Sequence, residues 1–169
     1  GGGMYIIDAQ VTLLECTFSN NTVGALNEDS SGGGMYIIGS EVTLLECTFN
    51  GNTTSSSQGS GTGGGVTASG ASLAMTNCSF DGNQASRGGG IYATAGSTPY
   101  LVGCTFSHNT VMAPGYGGGI YSIDSTSSLN TCNFTQNEAN YGAGIMIWTS
   151  SASLEQCVFT ENNATGWGA

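Results

Sequence analysis

The sequence predicts an all-β fold, a single-stranded parallel β-helix in which six short coils lie on top of one another. Two motifs that recur together predict it. A glycine triplet begins each copy, at Gly1, Gly32, Gly63, Gly88, Gly117 and, as GAG, Gly142. The motif C-x-F-x-x-N follows every time, with its cysteine at Cys16, Cys47, Cys78, Cys104, Cys132 and Cys157. Repeats of this length at a near-constant spacing are typical of solenoids.

Each copy contains three short segments that read as strands. In the first copy these are Met4 to Ile6, Val11 to Leu13, and Cys16 to Phe18. Each alternates with period two, is rich in β-branched or aromatic residues, and is shorter than the roughly 10 residues of a helix. The predicted domain is therefore one β-helix of six coils with three strands each, and the coil bounds are 1–31, 32–62, 63–87, 88–116, 117–141 and 142–167.

Stacking explains why the same pattern is repeated. One coil alone cannot bury its apolar edge or pair its backbone, whereas coils about 4.8 Å apart do both. Like residues should then form inward columns of aliphatic side chains, of phenylalanines and of asparagines, the last at a corner where stacked amides bond to one another. The predicted aliphatic columns are Met4, Met35, Val66, Ile91, Ile120, Ile145 and Leu13, Leu44, Met75, Leu101, Leu129, Leu154.

The charge balance excludes two classes of partner. Arg87 is the one basic residue among 169, eleven residues are acidic, and the formal net charge is −10. Nucleic acids and anionic membrane surfaces both require clustered Lys or Arg. No apolar run approaches the roughly 18 residues of a membrane span, so this segment is not expected to insert into a membrane.

The six cysteines share one position of the repeat and should form a column. Their spacings of 25 to 31 residues match no zinc motif. A column of buried thiols is one interpretation. Disulfides between neighbouring coils, for example Cys16 to Cys47, are another, because a Cα separation of about 4.8 Å lies within the permitted range. No cofactor is expected.

Five N-x-[ST] sequons suggest a glycosylated, extracellular or cell-surface protein, although a chain this rich in Asn, Ser and Thr also produces such triplets by chance. Asn77 and Asn133 flank a cysteine and should point outward. Asn52 belongs to the corner column and should be hard to modify. The full set is Asn20, Asn52, Asn77, Asn133 and Asn163.

The sequence offers little for catalysis. Arg87 and His108 are the only candidates of their types, and neither has a partner that the sequence predicts. Glu15 and Glu46 precede cysteines on adjacent coils and form a weak calcium candidate, since two carboxylates about 5 Å apart can share a cation. Nucleotide-binding, nucleophile-elbow and zinc-protease motifs are absent from the sequence, so we expect no enzymatic activity.

Two surface features suggest interactions. If Met4 and Ile6 point inward, the alternate residues of the first strand form an outward apolar stripe, and such a patch usually marks an interface. Its members are Tyr5, Ile7, Tyr36, Ile38, Tyr92, Tyr121, Ile123, Met146 and Trp148. The segments before later glycine triplets end in Tyr116, Tyr141 and Trp167, a column that could stack on sugar rings or simply pack as a ladder. The residue directly after the cysteine carries a hydroxyl group in only some of the copies, which gives only weak support for ice binding.

The motif pair resembles two groups of known proteins. The chain is similar to the right-handed, pectin-lyase-like parallel β-helices. More closely, it resembles the repeats of chlamydial polymorphic outer membrane proteins, which pair GGA[ILV] with FxxN. Here GGGM, GGGV, GGGI and GAGI stand for the first motif, and FSNN, FNGN, FDGN, FSHN, FTQN and FTEN match the second. The resemblance implies a right-handed helix and a surface-exposed, non-enzymatic adhesive or structural passenger.

These observations predict a non-catalytic structural β-helix, part of a surface fibre or a large surface protein, that acts by rigid extension and self-association. Because the first and last residues each begin a coil, we expect the coils either to continue in a longer chain or to join head to tail between copies. Neighbouring domains are the other expected partners. The alternatives are an adhesin that binds a glycan or surface partner through the variable turn edge, and a degenerate polysaccharide lyase.

Overall fold

The protein is an all-β solenoid of six coils. The structure, a computed structural model, describes residues 1–25, 29–57 and 60–166. Every strand in this part of the chain pairs in parallel with its counterpart one coil away. No helix within it is long and apolar enough to cross a membrane.

Four parallel sheets form the walls of the solenoid. The first sheet contains Met4–Ile7, Met35–Ile38, Val66–Ser69, Ile91–Thr94, Ile120–Ile123 and Ile145–Trp148. The second contains Gln10–Leu14, Glu41–Leu45, Ser72–Thr76, Thr98–Val102, Thr126–Asn130 and Ser151–Glu155. The third contains Thr17–Ser19, Thr48–Asn50, Ser79–Asp81, Thr105–Ser107, Asn133–Thr135 and Val158–Thr160. The fourth contains Thr22–Ala25, Ser30–Ser31, Thr53–Ser56, Gly61–Thr62, Gln84–Arg87, Thr110–Tyr116, Glu138–Ala139 and Asn163–Ala164.

The fourth sheet corrects the prediction of three strands per coil. It is built from the segment between the asparagine of each C-x-F-x-x-N motif and the next glycine triplet. From the sequence pattern, this segment was expected to be a variable turn. Its small residues, such as Gly24, Ser55 and Ala85, give no strong alternation of apolar and polar side chains. The neighbouring coils nevertheless hold this backbone in register, so ladder hydrogen bonds form without a distinctive side-chain pattern.

The predicted inward columns are confirmed residue by residue. Met4 pairs with Met35, Leu13 with Leu44, and Phe18 with Phe49, and the same register continues through all six coils. Neighbouring phenylalanine rings lie 4.7 to 4.9 Å apart between centroids and within 6° of parallel. That spacing equals the rise of one coil, so each ring packs on the next without any change of strand separation.

The asparagine column is a continuous chain of hydrogen bonds inside the solenoid. Asn52, Asn83, Asn109 and Asn137 are fully buried. The Asn83 Nδ2 atom donates to the Phe49 carbonyl at 2.9 Å and to the Asn109 Oδ1 atom at 2.9 Å. The Asn83 Oδ1 atom accepts hydrogen bonds from the Asn52 backbone N–H and from the Asn52 Nδ2 atom, each at 3.0 Å. Both polar atoms of the side chain are therefore satisfied, as burial requires.

Single left-handed residues turn the chain at the three corners that lack glycine triplets. Their side chains differ widely, but each non-glycine member has a φ between 47° and 56°. The first corner column contains Asp8, Gly39, Gly70, Ala95, Asp124 and Thr149. The second contains Glu15, Glu46, Asn77, Gly103, Thr131 and Gln156. The third contains Asn20, Gly51, Gly82, His108, Gln136 and Glu161. One left-handed residue reverses the local direction of the backbone without an extra loop, which keeps the coils short.

One buried hydroxyl gives a stability prediction. The Thr54 Oγ1 atom is buried and has no hydrogen-bond partner in the described part of the chain. Val23 occupies the same position one coil away. Replacing Thr54 by the isosteric valine removes an unsatisfied polar atom, so we expect it to raise the free energy of unfolding by about 1–2 kcal/mol. Urea unfolding followed by circular dichroism measures this.

Thr67 provides the matched control. It is also buried, but its Oγ1 atom donates to the Thr62 carbonyl at 2.8 Å and accepts from the Gly32 N–H at 3.1 Å. Thr67→Val should therefore lower the free energy of unfolding by about 1–3 kcal/mol. Equal effects of the two substitutions would contradict this account.

Candidate functional site

The outer surface at the glycine-triplet corner is a shallow cleft in which two outward columns meet. The residue immediately before a glycine triplet lies beside the residue five positions further along the chain. The rings of Tyr116 and Tyr121 approach to 5.7 Å between centroids, and Thr62 contacts Thr67. Burial raises the pKa of Tyr36 in this cleft, and a hydrogen bond with Ser31 opposes the shift. The triplets carry no side chains that would separate the two columns, so the columns pack on each other outside the solenoid.

This cleft corrects part of the predicted apolar stripe. Tyr121 is 6% exposed, because Tyr116 covers it, and Thr67 in the same column is buried too. The rest of the stripe is divided by small polar residues at Ser69 and Thr94. Tyr5, Ile7 and Trp148 are about half exposed, whereas Tyr36, Ile38, Tyr92, Ile123 and Met146 are partly buried. Within this stripe, the most exposed apolar side chains therefore lie on the first coil and on the sixth coil.

The predicted glycan-stacking column is largely occupied by its own members. The Tyr116 ring stacks on Tyr141 at 5.3 Å and 17°, and on Tyr121 at 5.7 Å and 27°. With two ring partners, Tyr116 has little free face for a sugar. Trp167, the third predicted member, lies outside the described residues.

Four of the five sequons are accessible. Asn20, Asn77, Asn133 and Asn163 are exposed. Asn52 is fully buried, and its amide bonds to Phe18, Asn83 and Asn21, so a glycan there is incompatible with the fold. Asn52 therefore leaves the set of candidate sequons, as its place in the corner column led us to expect.

The calcium candidate has no supporting ligand. Glu15 and Glu46 occupy the same corner column on adjacent coils and both are exposed. A calcium ion takes six to eight oxygen ligands. Within residues 1–25, 29–57 and 60–166, no three His, Cys, Asp or Glu side chains lie close enough to hold a metal ion. The pair thus supplies only two of the carboxylate side chains that such an ion would need.

The two candidate catalytic residues lie on different parts of the solenoid surface and do not converge. Arg87 belongs to the fourth sheet and pairs in register with Tyr116. His108 lies at the third corner, where its Nδ1 atom is 2.9 Å from an Asp81 carboxylate oxygen and its Nε2 atom is 2.8 Å from the Gln136 side-chain oxygen. The Gln136 amide in turn donates to Glu161 at 2.8 Å. This chain of contacts links four consecutive coils along the outside of the solenoid.

The contacts of His108 favour its doubly protonated form. Gln136 is oriented by its bond to Glu161, so its oxygen faces the imidazole. Both ring nitrogens then face acceptors, an arrangement that only the doubly protonated imidazolium satisfies. The hydrogen bond to Asp81, with that to Gln136, raises the pKa of His108 from its ordinary value of 6.5. Hydrogen bonds from Ser107 and His108 lower the pKa of Asp81.

We expect the NMR titration of His108, the only histidine, to show a pKa above 6.5. Because the folded-state pKa is raised, the contribution of this contact to stability is present below about pH 6.5 and is lost as the pH rises through the folded-state value. Asp81→Asn should return the pKa toward 6.5, while Asn50→Asp, on the neighbouring coil of the same column, serves as a charge control. A pKa at or below 6.5 in the parent chain would contradict the network.

The cysteines form the predicted column as free thiols. Cys47, Cys78, Cys104 and Cys132 are buried, and Cys16 and Cys157 at the two ends are partly exposed. Each sulfur lies 3.3 to 3.6 Å from the carbonyl oxygen two residues earlier, as in the Cys47 contact with Leu45. Burial raises the pKa of the Cys47 thiol. A side-chain hydrogen bond with Cys104 lowers the pKa of Cys78 and of Cys132 to about 7. The sulfur atoms of these two residues are nevertheless buried inside the solenoid, which favours a packing role.

The two ends of the solenoid expose the edges of all four sheets. On the sixth coil, Leu154, Phe159 and Ile147 are 41%, 48% and 39% exposed, although the equivalent residues of inner coils are fully buried. A hollow of about 320 Å³ lies there between Ile145, Phe159 and Asn162. On the first coil, the side chains of Ile6 and Phe18 are only 5% and 8% exposed.

In-register parallel ladders around an aliphatic and aromatic interior define the class of protein, a parallel β-solenoid. The chain belongs to the right-handed beta helix region family, whose model matches residues 1–166. This confirms the predicted fold and its handedness. The resemblance to the chlamydial repeats stays a prediction. A search of curated proteins found no match.

Proposed function

We propose that this chain is a non-catalytic structural β-helix of an extracellular or cell-surface protein, acting by rigid extension and self-association. The observation that carries the proposal is the unbroken register of the ladders. From the first coil to the sixth, the Phe and Asn columns run without an interruption that could form a cleft. Rigid, uniform coils suit a spacer or fibre element better than an enzyme, which needs converging polar groups in a pocket.

The surface chemistry favours an extracellular setting for this element. The chain has a net charge of −10 and no lysine, so we expect no nonspecific electrostatic binding to nucleic acids or anionic lipids. The exposed sequons Asn20, Asn77, Asn133 and Asn163 would carry glycans on the outside of the rod if the source adds them. An antibody against the chain should label intact source cells. Labelling only after permeabilisation would contradict this setting.

A direct assay tests the non-catalytic part of the proposal. The chain is incubated with polygalacturonate, alginate, xylan and chitin, and unsaturated products and reducing ends are measured. We expect no release above the buffer control. Release that disappears in Arg87→Ala or His108→Ala would overturn the proposal and favour the degenerate polysaccharide lyase.

An adhesin is the second candidate, and one groove favours it. The groove, of about 580 Å³, is lined by Tyr5, Tyr36, Asp29 and Ser31 and lies beside the long fourth-sheet segment of the first coil. Aromatic rings next to hydroxyl and carboxylate groups suit a neutral sugar, which stacks on the ring and donates hydrogen bonds. Glycan-array binding that is lost in Tyr5→Ala, but retained in the exposed control Tyr100→Ala, would favour this candidate.

A further inference from the structure

We propose that the outer face of the third sheet binds ice. The inference goes beyond the proposed structural function and does not depend on it. This surface, the hydroxyl face, consists of the outward residues on either side of each phenylalanine of the inward column. Its chemistry, its flatness and its spacing all suit a crystal plane of water molecules.

The hydroxyl face contains two columns of side chains that run along the solenoid wall. Parallel pairing aligns the residues before and after each phenylalanine with their equivalents on the next coil. The first column contains Thr17, Thr48, Ser79, Thr105, Asn133 and Val158. The second contains Ser19, Asn50, Asp81, Ser107, Thr135 and Thr160. Each column has four hydroxyl side chains, and the second column turns a partial row into a two-dimensional grid.

The hydroxyl face is almost untwisted. Each phenylalanine lies between the two columns and points inward, so the angle between neighbouring rings follows the rotation between neighbouring strands. Those rings are within 6° of parallel in all five steps. Neighbouring strands of ordinary sheets are rotated by about 20–25°. A face with so little twist can meet a flat crystal plane at many positions at once.

The two repeat distances of the hydroxyl face are similar to those of ice. Along the solenoid, the phenylalanine centroids below the face repeat at 4.7 to 4.9 Å. Across the face, residues two apart on one strand are separated by about 6.6 Å, since a parallel strand rises about 3.3 Å per residue. On the prism planes of hexagonal ice, water oxygens repeat along two perpendicular directions at similar distances. Several hydroxyl groups of the grid can therefore bond to lattice positions together.

The side chains of the hydroxyl face are held in place before any ligand arrives. Thr17, Thr48 and Thr105 are β-branched, and such side chains are stiff about χ1. Directly below them, the stacked phenylalanines and the buried asparagine ladder fix the backbone. Binding to ice would thus order few groups that are free in the unbound chain, which reduces its entropic cost.

The hydroxyl face carries little charge. Asp81 is the one charged member of the two columns. Its carboxylate already accepts a hydrogen bond from Ser107 at 2.7 Å and contacts the His108 ring at 2.9 Å. A crystalline polysaccharide would favour aromatic rings, and a mineral would favour rows of carboxylates. The two columns contain no aromatic ring and no such row, so their chemistry favours ice over these other flat ligands.

The second sheet offers no comparable grid. Its outward positions include the apolar side chains Leu14 and Tyr100, which are 58% and 54% exposed, and the exposed carboxylate of Glu41. Large apolar and charged side chains interrupt a regular array of hydroxyl groups. The second sheet therefore provides a control surface on the same coils.

Inhibition of ice recrystallisation by the purified chain tests the proposal. The chain is produced in bacteria, because Asn133 is a sequon within the face and a glycan there would cover it. We expect the folded chain to arrest the coarsening of ice grains at millimolar or lower concentration. Thr105→Tyr should abolish this effect, because a ring that projects from an exposed grid position holds the ice plane away. Thr98→Tyr, the same change at an exposed position of the second sheet in the same coil, should retain it.

Circular dichroism and urea midpoints of the two variants should match those of the parent chain, since both substitutions are at exposed positions. A parent chain that leaves ice growth at the level of a serum albumin control overturns the proposal. Equal loss in both variants overturns it too, as does retention of the effect in Thr105→Tyr. None of these results affects the polysaccharide assay or the labelling of cells, so failure of ice binding can be distinguished from failure of the structural function.

Discussion

Replacing Asn83 by leucine is expected to lower the free energy of unfolding by about 3–6 kcal/mol. Leucine has a similar size but makes none of the four side-chain hydrogen bonds of Asn83. The substitution leaves the Asn52 N–H, one Asn52 amide hydrogen and the Phe49 carbonyl without these partners in a fully buried column. Each unsatisfied buried group costs about 1–3 kcal/mol. The loss is comparable to a large part of the stability of an ordinary domain.

Urea unfolding by circular dichroism measures this effect, with hydrogen exchange to locate it. In a solenoid each coil contacts only its neighbours, so we expect protection to fall first in the second to fourth coils. Asn50→Leu is the matched control, since Asn50 is an exposed residue of the third sheet. It should change stability by less than about 0.5 kcal/mol. If the two leucine variants were equally stable, the amide ladder would not be a source of stability.

The interior could be predicted from the sequence because its residues repeat. Phe18, Leu13 and Asn21 recur with the same identity and offset in nearly every copy, so stacking like on like predicts the columns directly. In this part of the molecule, local pattern and long-range packing agree, which is the condition for a reliable prediction. The fourth sheet could not be predicted in the same way, because neighbouring coils, not its own side chains, impose its strands.

The left-handed residues of the corners were not predicted, because the property that they share is conformational. Asp8, Gly39 and Ala95 share a left-handed backbone and an exposed position but no chemical character. Asp and Gly are frequent in that conformation, and Ala is not. Aligned by coil, the three corner columns are rich in Gly, Asn and Asp, a signal that was present but weak.

The burial of Tyr121 was missed for a geometric reason. Period-two alternation assigns it to the outside of the solenoid, which is correct, but the outside is not always exposed. At the glycine-triplet corner the residue five positions earlier, Tyr116, covers it. The available signal was the paired bulk of residues on either side of a triplet, seen again in Thr62 and Thr67. The candidate surfaces were harder to predict than the core, because exposure depends on such contacts between columns.

Gly64→Ala is expected to prevent the third and fourth coils from stacking and to lower the free energy of unfolding by more than about 4 kcal/mol. A Cβ atom on Gly64 would lie 2.5 Å from the Gly89 oxygen and 2.6 and 2.7 Å from the Gln84 nitrogen and oxygen. The Gly89 oxygen belongs to the fourth coil, and the two Gln84 atoms belong to the end of the third coil itself. All three are backbone atoms, so no side chain can rotate away. The coils cannot separate either, because the phenylalanine stack fixes their rise at 4.7 to 4.8 Å. Overpacking of this kind normally costs about 1–3 kcal/mol, and a rigid backbone neighbour makes it larger.

Gly82→Ala separates this crowding from the general effect of a glycine substitution. Gly82 has a φ of +61° and nothing within 4 Å of its Cβ position, so alanine there meets only the left-handed penalty of about 1–2 kcal/mol. In the sixth coil, Ala143 occupies the position equivalent to Gly64. The described residues include no coil beyond the sixth, so none of them crowds the Ala143 Cβ atom from that side. Soluble yield and urea midpoints of the two variants measure the difference. If Gly64→Ala were no more destabilising than Gly82→Ala, close backbone approach would not be the reason for the triplets, and the spacing of the coils would have to be set by the side-chain columns alone.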